Sequence, residues 1–180
     1  MIKVIRILVL MIIMLSADLA VSIAGSDKDG SSVKWITPEE LQAIAADTKK
    51  PIIVDVYTSW CYYCKVMDKT TWRNDSVTAY LESNYYAVKI NAENKEPYAW
   101  EGKNYEYEAK YKVNMLAVKL LGGNMVYPST VIIPVKGEPE VLKGAFTAKE
   151  LEMILKYYGD RINETKSPEA FMKTFSGKWK

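Results

Sequence analysis

A chain of 180 residues, 49% hydrophobic and 26% charged, can bury the core of a single domain with some trimmings. Its net charge of +2, with no long run of either sign, gives no electrostatic footprint for nucleic acid. Histidine is absent, which excludes Ser-His and Cys-His nucleophile pairs and metal sites built on imidazole, and leaves uncommon chemistry to carboxylates, lysines and the only two cysteines, Cys61 and Cys64.

The chain opens with Lys3 and Arg6, followed by an uninterrupted apolar run from Ile7 to Leu15. Asp18 breaks the run, and the small residues Ser22 and Ala24 stand at the spacing a signal peptidase accepts. Residues 1–24 therefore read as a secretory signal, because the apolar run is too short for a spanning helix. Apolar character resumes over Leu19 to Ala24, so an uncleaved anchor is the other reading. Cleavage removes Lys3, Arg6 and Asp18 and takes the net charge from +2 to +1. The expected location is periplasmic or otherwise extracytoplasmic, with membrane contact only through this segment if it stays. Residues 25–32 are a Gly/Ser/Asp linker without periodicity.

Val33 to Ile36 alternate and predict a short strand. Thr37-Pro38-Glu39-Glu40 supplies a cap, a proline at the first helical position and a glutamate at the third, so a helix is predicted over 38–47. Ile52 to Tyr57 is a nearly continuous apolar run, the pattern of a strand buried on both faces, with Asp55 as its one anomaly. The cysteine pair then opens a helical pattern to about Trp72, Asn74-Asp75 caps another through Leu81, and Tyr86 to Ile90 reads as a strand. Residues 92–111 are polar yet rich in aromatics, and a helix is predicted from about Tyr105 to Leu121, ending at Gly122-Gly123. Thr130 to Pro134 and Glu140 to Lys143 make a strand pair. Thr147 to Glu150 is a second capping box, ahead of a last helix with Leu151, Ile154, Leu155 and Tyr158 on one face. Residues 159–180 form a basic tail with room for one short helix after Pro168. Alternating strands and helices in the first half, closed by an antiparallel hairpin, predict an α/β fold: a central mixed sheet with helices on both faces.

Two cysteines three apart at the start of a helix carry a specific chemistry. The helix N-terminus presents free N–H groups and partial positive charge, which stabilise a thiolate at Cys61. Lowering a thiol pKa from about 8.5 to about 7 raises its ionised share at pH 7 on the order of fifteenfold. Cys64, one turn further in, is placed to attack a mixed disulfide on Cys61 and release the product. CxxC before a helix in a strand–helix alternation is a redox signature. Three other readings stand beside it: a structural disulfide, half of a metal site, and a binding module that keeps an inert pair. A loop this short gives a disulfide only about 2 kcal/mol, and no second ligand pair completes a zinc site.

The segment Ile53-Val54-Asp55-Val56-Tyr57-Thr58-Ser59-Trp60-Cys61-Tyr62-Tyr63-Cys64-Lys65 resembles the active-site segment of the thioredoxin superfamily, which keeps an acidic residue six before the first cysteine, Trp before it and Lys after the second. Ala87-Val88-Lys89-Ile90-Asn91 is similar to that family's third strand, Tyr127-Pro128-Ser129-Thr130 to its cis-proline loop, and Lys143-Gly144-Ala145-Phe146 to the turn before its last helix. The resemblance spans about 33–158, with 92–126 longer than the minimal pattern, and is nearest to exported bacterial branches such as the soluble domains of periplasmic disulfide reductases. It implies a thioredoxin-like fold and a thiol–disulfide oxidoreductase whose redox centre is Cys61 and Cys64, with no cofactor and no metal. It also implies roles: Asp55 as the buried carboxylate that takes the Cys64 proton, Lys89 as its charge partner, and Trp60, Tyr62, Tyr63, Tyr127 and Pro128 as the substrate-facing set. The implied partners are disulfide-containing exported proteins and a membrane or soluble thiol electron donor. Tyr62-Tyr63 replaces the Gly-Pro of cytosolic thioredoxins and the Pro-His of strong oxidants, and without that histidine a reducing role is expected over an oxidant or isomerase. The aromatic stretch 92–111 reads as a packing insert or a partner-binding lip.

Overall fold

The computed structural model describes residues 32–44 and 50–180. The signal segment 1–24, nearly all of the 25–32 linker and the end of the helix expected over 38–47 lie outside the described residues. No described helix is long and apolar enough to cross a membrane.

The apolar run at Ile52–Tyr57 (β1) is the centre of a four-stranded sheet. On one side it pairs in parallel with Tyr86–Asn91 (β2), which follows the crossover helices Tyr62–Lys69 (α2) and Asp75–Asn84 (α3). On the other side it pairs antiparallel with Ser129–Ile133 (β7), which in turn pairs with Glu140–Lys143 (β8), so the order is β2-β1-β7-β8. Side chains alternate across the sheet. Val54, Val56, Val88, Ile90 and Val131 face one way and pack with Leu41 of Pro38–Ile44 (α1) and with Leu116, Ala117 and Leu120 of Met115–Leu120 (α4). Ile53, Ala87 and Ile132 face the other way and pack with Met67 of α2, Val77 and Leu81 of α3, and Leu151 and Leu155 of Ala148–Gly159 (α5). This is the expected thioredoxin-like α/β fold, a mixed sheet covered by helices on both faces. Each fully buried Leu, Ile or Val contributes about 1.5–3 kcal/mol.

Two expectations need correction. The strand over Val33 to Ile36 shrinks to one parallel bridge, Ile36 to Val88. Trp35 N–H turns back onto the Val33 carbonyl and Val33 N–H goes to the Trp72 carbonyl, so only Ile36 is left to pair with the sheet before Pro38 begins α1. The helix expected from Tyr105 begins only at Met115. Upstream are two hairpins, Tyr98–Trp100 (β3) with Lys103–Tyr105 (β4), and Tyr107–Glu108 (β5) with Val113–Asn114 (β6). Lys112 takes a positive φ (53°) in the turn between β5 and β6, a conformation that a helix running on from Tyr105 forbids. Asn114 then caps α4: its Oδ1 accepts from Leu116 N–H at 2.9 Å while its amide donates to the carbonyls of Asn94 and Glu96.

The C-terminal segment is folded onto the domain. After a 3-10 turn at Ile162–Glu164 and a short helix at Pro168–Met172 (α6), the chain returns across α3 and α5. Glu152, fully buried in α5, accepts the backbone N–H groups of Lys178 (2.7 Å) and Trp179 (2.8 Å) and pairs with Lys156 at 2.6 Å. Burial pushes its carboxyl up, and the Lys156 ammonium and the two N–H groups more than offset this, so it titrates below the usual range. The Trp179 ring stands edge-on to Tyr80 at 5.6 Å. Trp179→Ala is therefore expected to lower the unfolding free energy by about 1–3 kcal/mol in a urea melt. An unchanged midpoint would mean that the latch adds nothing to stability.

Candidate active site

β1 delivers the chain into Thr58-Ser59-Trp60 and then into Cys61, the N-cap residue of α2. Cys61 is extended (φ −67°, ψ 110°), and its Sγ accepts the N–H of Cys64 at 3.1 Å. The two cysteines are joined as a disulfide with Cα atoms 5.3 Å apart. No acidic side chain stands in the first turn of α2 to oppose an anion there. A thiolate at Cys61 thus meets a directed N–H and the positive end of the helix, the two conditions that lower a thiol pKa. Cys61 and Cys64 are only 4% and 3% exposed, while the residues beside them, Trp60, Tyr62 and Tyr63, stand open to solvent.

On the sheet face that α2 covers, a polar row crosses the strands. Asp55 of β1 is in register with Lys89 of β2 on one side and Thr130 of β7 on the other. By alternation all three share the sheet face of Ile53, Ala87 and Ile132, the face covered by α2. Asp55 is buried, and the Lys89 ammonium lies 3.0 Å from its Oδ2. Its Oδ1 takes no hydrogen bond from any described residue, and the same holds for the hydroxyls of Thr58 and Thr130. Desolvation raises the Asp55 pKa from 3.8 to about 6 against the pull of Lys89, so near neutral pH this carboxyl can both take and give a proton. Burial pulls the Lys89 ammonium down, but Asp55 and Asp68 together raise it above its ordinary value, so it stays charged.

The Trp60 loop has a partner that the sequence reading did not identify. Glu93, just past β2, accepts Trp60 Nε1–H at 3.0 Å on Oε1, and Ser59 N–H at 3.0 Å and Ser59 Oγ–H at 2.8 Å on Oε2. The Ser59 hydrogen bonds lead in holding its carboxyl below the usual range. An acid two residues after the strand that carries Lys89 is the only signal in the sequence, and its partners lie 33 and 34 residues away. Glu93→Ala is expected to speed solvent exchange of the Ser59 amide about tenfold or more, since a bond to a charged acceptor contributes about 1.5–3 kcal/mol. Equal exchange rates would remove Glu93 from the loop's support.

Tyr127 and Pro128 join through a cis peptide bond, and the Pro128 carbonyl accepts Gly144 N–H at 2.9 Å, tying this loop to the turn after β8. The Tyr127 ring stands edge-on to Trp60 at 5.9 Å, which brings the loop to the cysteine end of the sheet. Tyr62 and Tyr63 pack edge-on to each other at 5.4 Å on the outer side of α2. Between Trp60 and the 107–125 region runs a groove of about 600 Å³, walled by Trp60, Tyr127, Tyr111, Met115 and Met125. The structure therefore gathers Cys61, Cys64, Trp60 and Tyr127 at one end of the sheet and sets the Asp55–Lys89 pair on the face that α2 covers.

The profile of the thioredoxin-like domain family matches residues 38–159. A thioredoxin-fold protein from Helicobacter pylori is similar in structure, with a TM-score of 0.54 at 17% identity, covering 84% of this chain and 89% of that one. A putative disulphide-isomerase from Bacteroides thetaiotaomicron gives a TM-score of 0.51 at 24% identity, covering 77% of this chain and 98% of that one. In sequence, a thiol:disulfide interchange protein DsbD of Vibrio vulnificus is 40% identical over 55 residues, which is 29% of this chain and 9% of that protein. The match thus spans only a small part of that relative's length.

Proposed function

The chain belongs to the thioredoxin-like domain family and is by its fold and its Cys61–Cys64 pair a thiol–disulfide oxidoreductase, and from that premise we propose that it reduces disulfides of extracytoplasmic proteins. The observation that carries the proposal is Cys61 at the N-cap of α2, with the Cys64 N–H aimed at its sulfur. In the reduced protein the Cys61 thiolate attacks one sulfur of a substrate disulfide, and the other substrate sulfur leaves as a thiolate and takes a proton from solvent. Cys64 gives its proton to the free Oδ1 of Asp55 and attacks Cys61 Sγ. The mixed disulfide breaks, the Cys61–Cys64 disulfide forms, and the second substrate thiol departs. A thiol donor of two electrons, membrane-bound or soluble, returns the pair to the dithiol. Lys89 keeps Asp55 anionic often enough to accept the proton, and the buried setting keeps its affinity for that proton near neutrality.

Both cysteines are nearly covered, and a substrate reaches them by laying an extended segment among the open rings of Trp60, Tyr62 and Tyr63 and beside Tyr127. The positively charged start and apolar run of residues 1–24 support export, and the likeness to a thiol:disulfide interchange protein supports the exchange chemistry. The test is turnover of a protein disulfide at the expense of a dithiol, with a Cys61→Ser, Cys64→Ser variant alongside. Turnover that needs both cysteines supports the reading. A double variant that still replaces the wild type in cells would mean a binding module with an inert pair.

A further inference from the structure

Lys89 holds two carboxylates at once, and only one of them has a role in the exchange steps above. Its ammonium lies 3.0 Å from Asp55 Oδ2 and also pairs with Asp68 Oδ1. The two acids sit in opposite settings: the side chain of Asp55 is 2% exposed and that of Asp68 is 38% exposed. Asp68 follows Cys64 by four residues on α2, so the resolving cysteine and the second acid share one helix face, one turn apart. That face looks onto the polar row of the sheet, since Asp68 reaches Lys89. The rings of Tyr57 (4.9 Å) and Trp35 (5.4 Å) flank the ammonium and confine it by cation–π attraction. The groups facing Lys89 are thus Asp55 and Tyr57 from β1, Asp68 from α2 and Trp35 from the segment before α1.

We propose that Asp68 is the solvent end of a proton relay, Asp55–Lys89–Asp68, that empties and refills the buried acid during exchange; this rests on Asp55 being the acceptor of the Cys64 proton. When Cys64 attacks, its proton passes to Asp55. In one coupled step the Lys89 nitrogen takes the Asp55 proton as it passes another to the Asp68 carboxylate, so Lys89 stays charged throughout and Asp55 is again a carboxylate. Asp68 releases the proton to water. Reduction of the disulfide runs the same transfers backwards. Asp68 acts through Lys89 and Asp55 and is a positioning residue for proton traffic.

The two steps separate when the full-length reduced protein reacts with an aromatic disulfide reagent that releases thionitrobenzoate. The first equivalent reports attack by Cys61, and the second reports displacement by Cys64. Asp68→Asn is expected to leave the first phase unchanged and to slow the second about tenfold or more, a fraction of the range general acid–base groups supply. Asp68→Glu should restore the second phase, and so should added acetate, a small carboxylate that can replace the missing outlet. A second phase as fast as wild type in Asp68→Asn overturns the relay. A slow phase that neither Asp68→Glu nor acetate restores also overturns it, because that marks a structural role. If the wild type itself releases no second equivalent, the exchange reading of the pair falls, and the relay falls with it.

Discussion

Cells carrying the Cys64→Ser variant are expected to accumulate mixed disulfides through Cys61, while Cys61→Ser abolishes both the adducts and turnover. The asymmetry follows from the positions of the two sulfurs. Cys61 caps α2, where the helix end and the Cys64 N–H favour a thiolate, whereas Cys64 lies within the first turn and faces the buried side. The first sulfur is thus the nucleophile toward substrate and the second its displacer. Losing the nucleophile is expected to cost about 10³-fold or more in turnover, as removal of a covalent centre does elsewhere. Losing the displacer leaves attack intact and freezes the intermediate. Non-reducing electrophoresis followed by capture of the adducts checks this. Adducts that depend on Cys64 instead, with Cys61 inert, would reverse the two roles.

Asp55→Asn is expected to stabilise the oxidised protein at pH 7 and at the same time to slow the Cys64 step. Burial raises the folded pKa of this carboxyl from 3.8 to about 6, so between those values the folded state binds more protons than the unfolded state. Stability is therefore lost as pH rises through that window and stays lost above it. An asparagine does not ionise and avoids the loss. The gain at pH 7 is about 1–3 kcal/mol, reduced because Lys89 keeps only Asp68 as its partner, and it disappears below about pH 4. With the proton acceptor gone, release of the substrate thiol by Cys64 is expected to slow about 10²-fold. Urea melts of wild type and variant at pH 4 and pH 7, with the second phase of thiol release, check both halves. A variant less stable than wild type at pH 7 would mean that the Lys89 ion pair outweighs the desolvation of Asp55.

Sequence patterns reach the parts of the site whose signals are local. Asp55 stands out because it is the one charge in a run that otherwise reads as buried on both faces, whereas Lys89 is reached through the likeness of Ala87 to Asn91 to the family's third strand. That the two meet requires only parallel pairing in the observed register. The capping residues Asn74 and Thr147 and the turn at Gly144 are equally local and fall where expected. Long-range features are silent. Glu93 looks like any polar loop residue until the fold brings it to Ser59 and Trp60. Asp68 reads as the solvent side of an amphipathic helix, and Glu152 as the polar side of another, yet one reaches into the polar row and the other is buried under the returning C-terminus. The helix expected from Tyr105 fails for a local reason: the apolar spacing of α4 extends upstream through tyrosines, but the chain there folds into the β5–β6 hairpin, whose turn holds Lys112 at a positive φ.

The reduction potential of the Cys61–Cys64 pair, measured by equilibration in dithiothreitol or glutathione buffers, tests the central claim most directly. The expected value lies near the thioredoxin potential of about −270 mV, which belongs to a pair that gives electrons to substrate disulfides and needs a thiol donor to recharge it. A value near −120 mV would contradict the direction, making the protein a donor of disulfides, and a value well below about −300 mV would contradict exchange itself and mark the bond as structural.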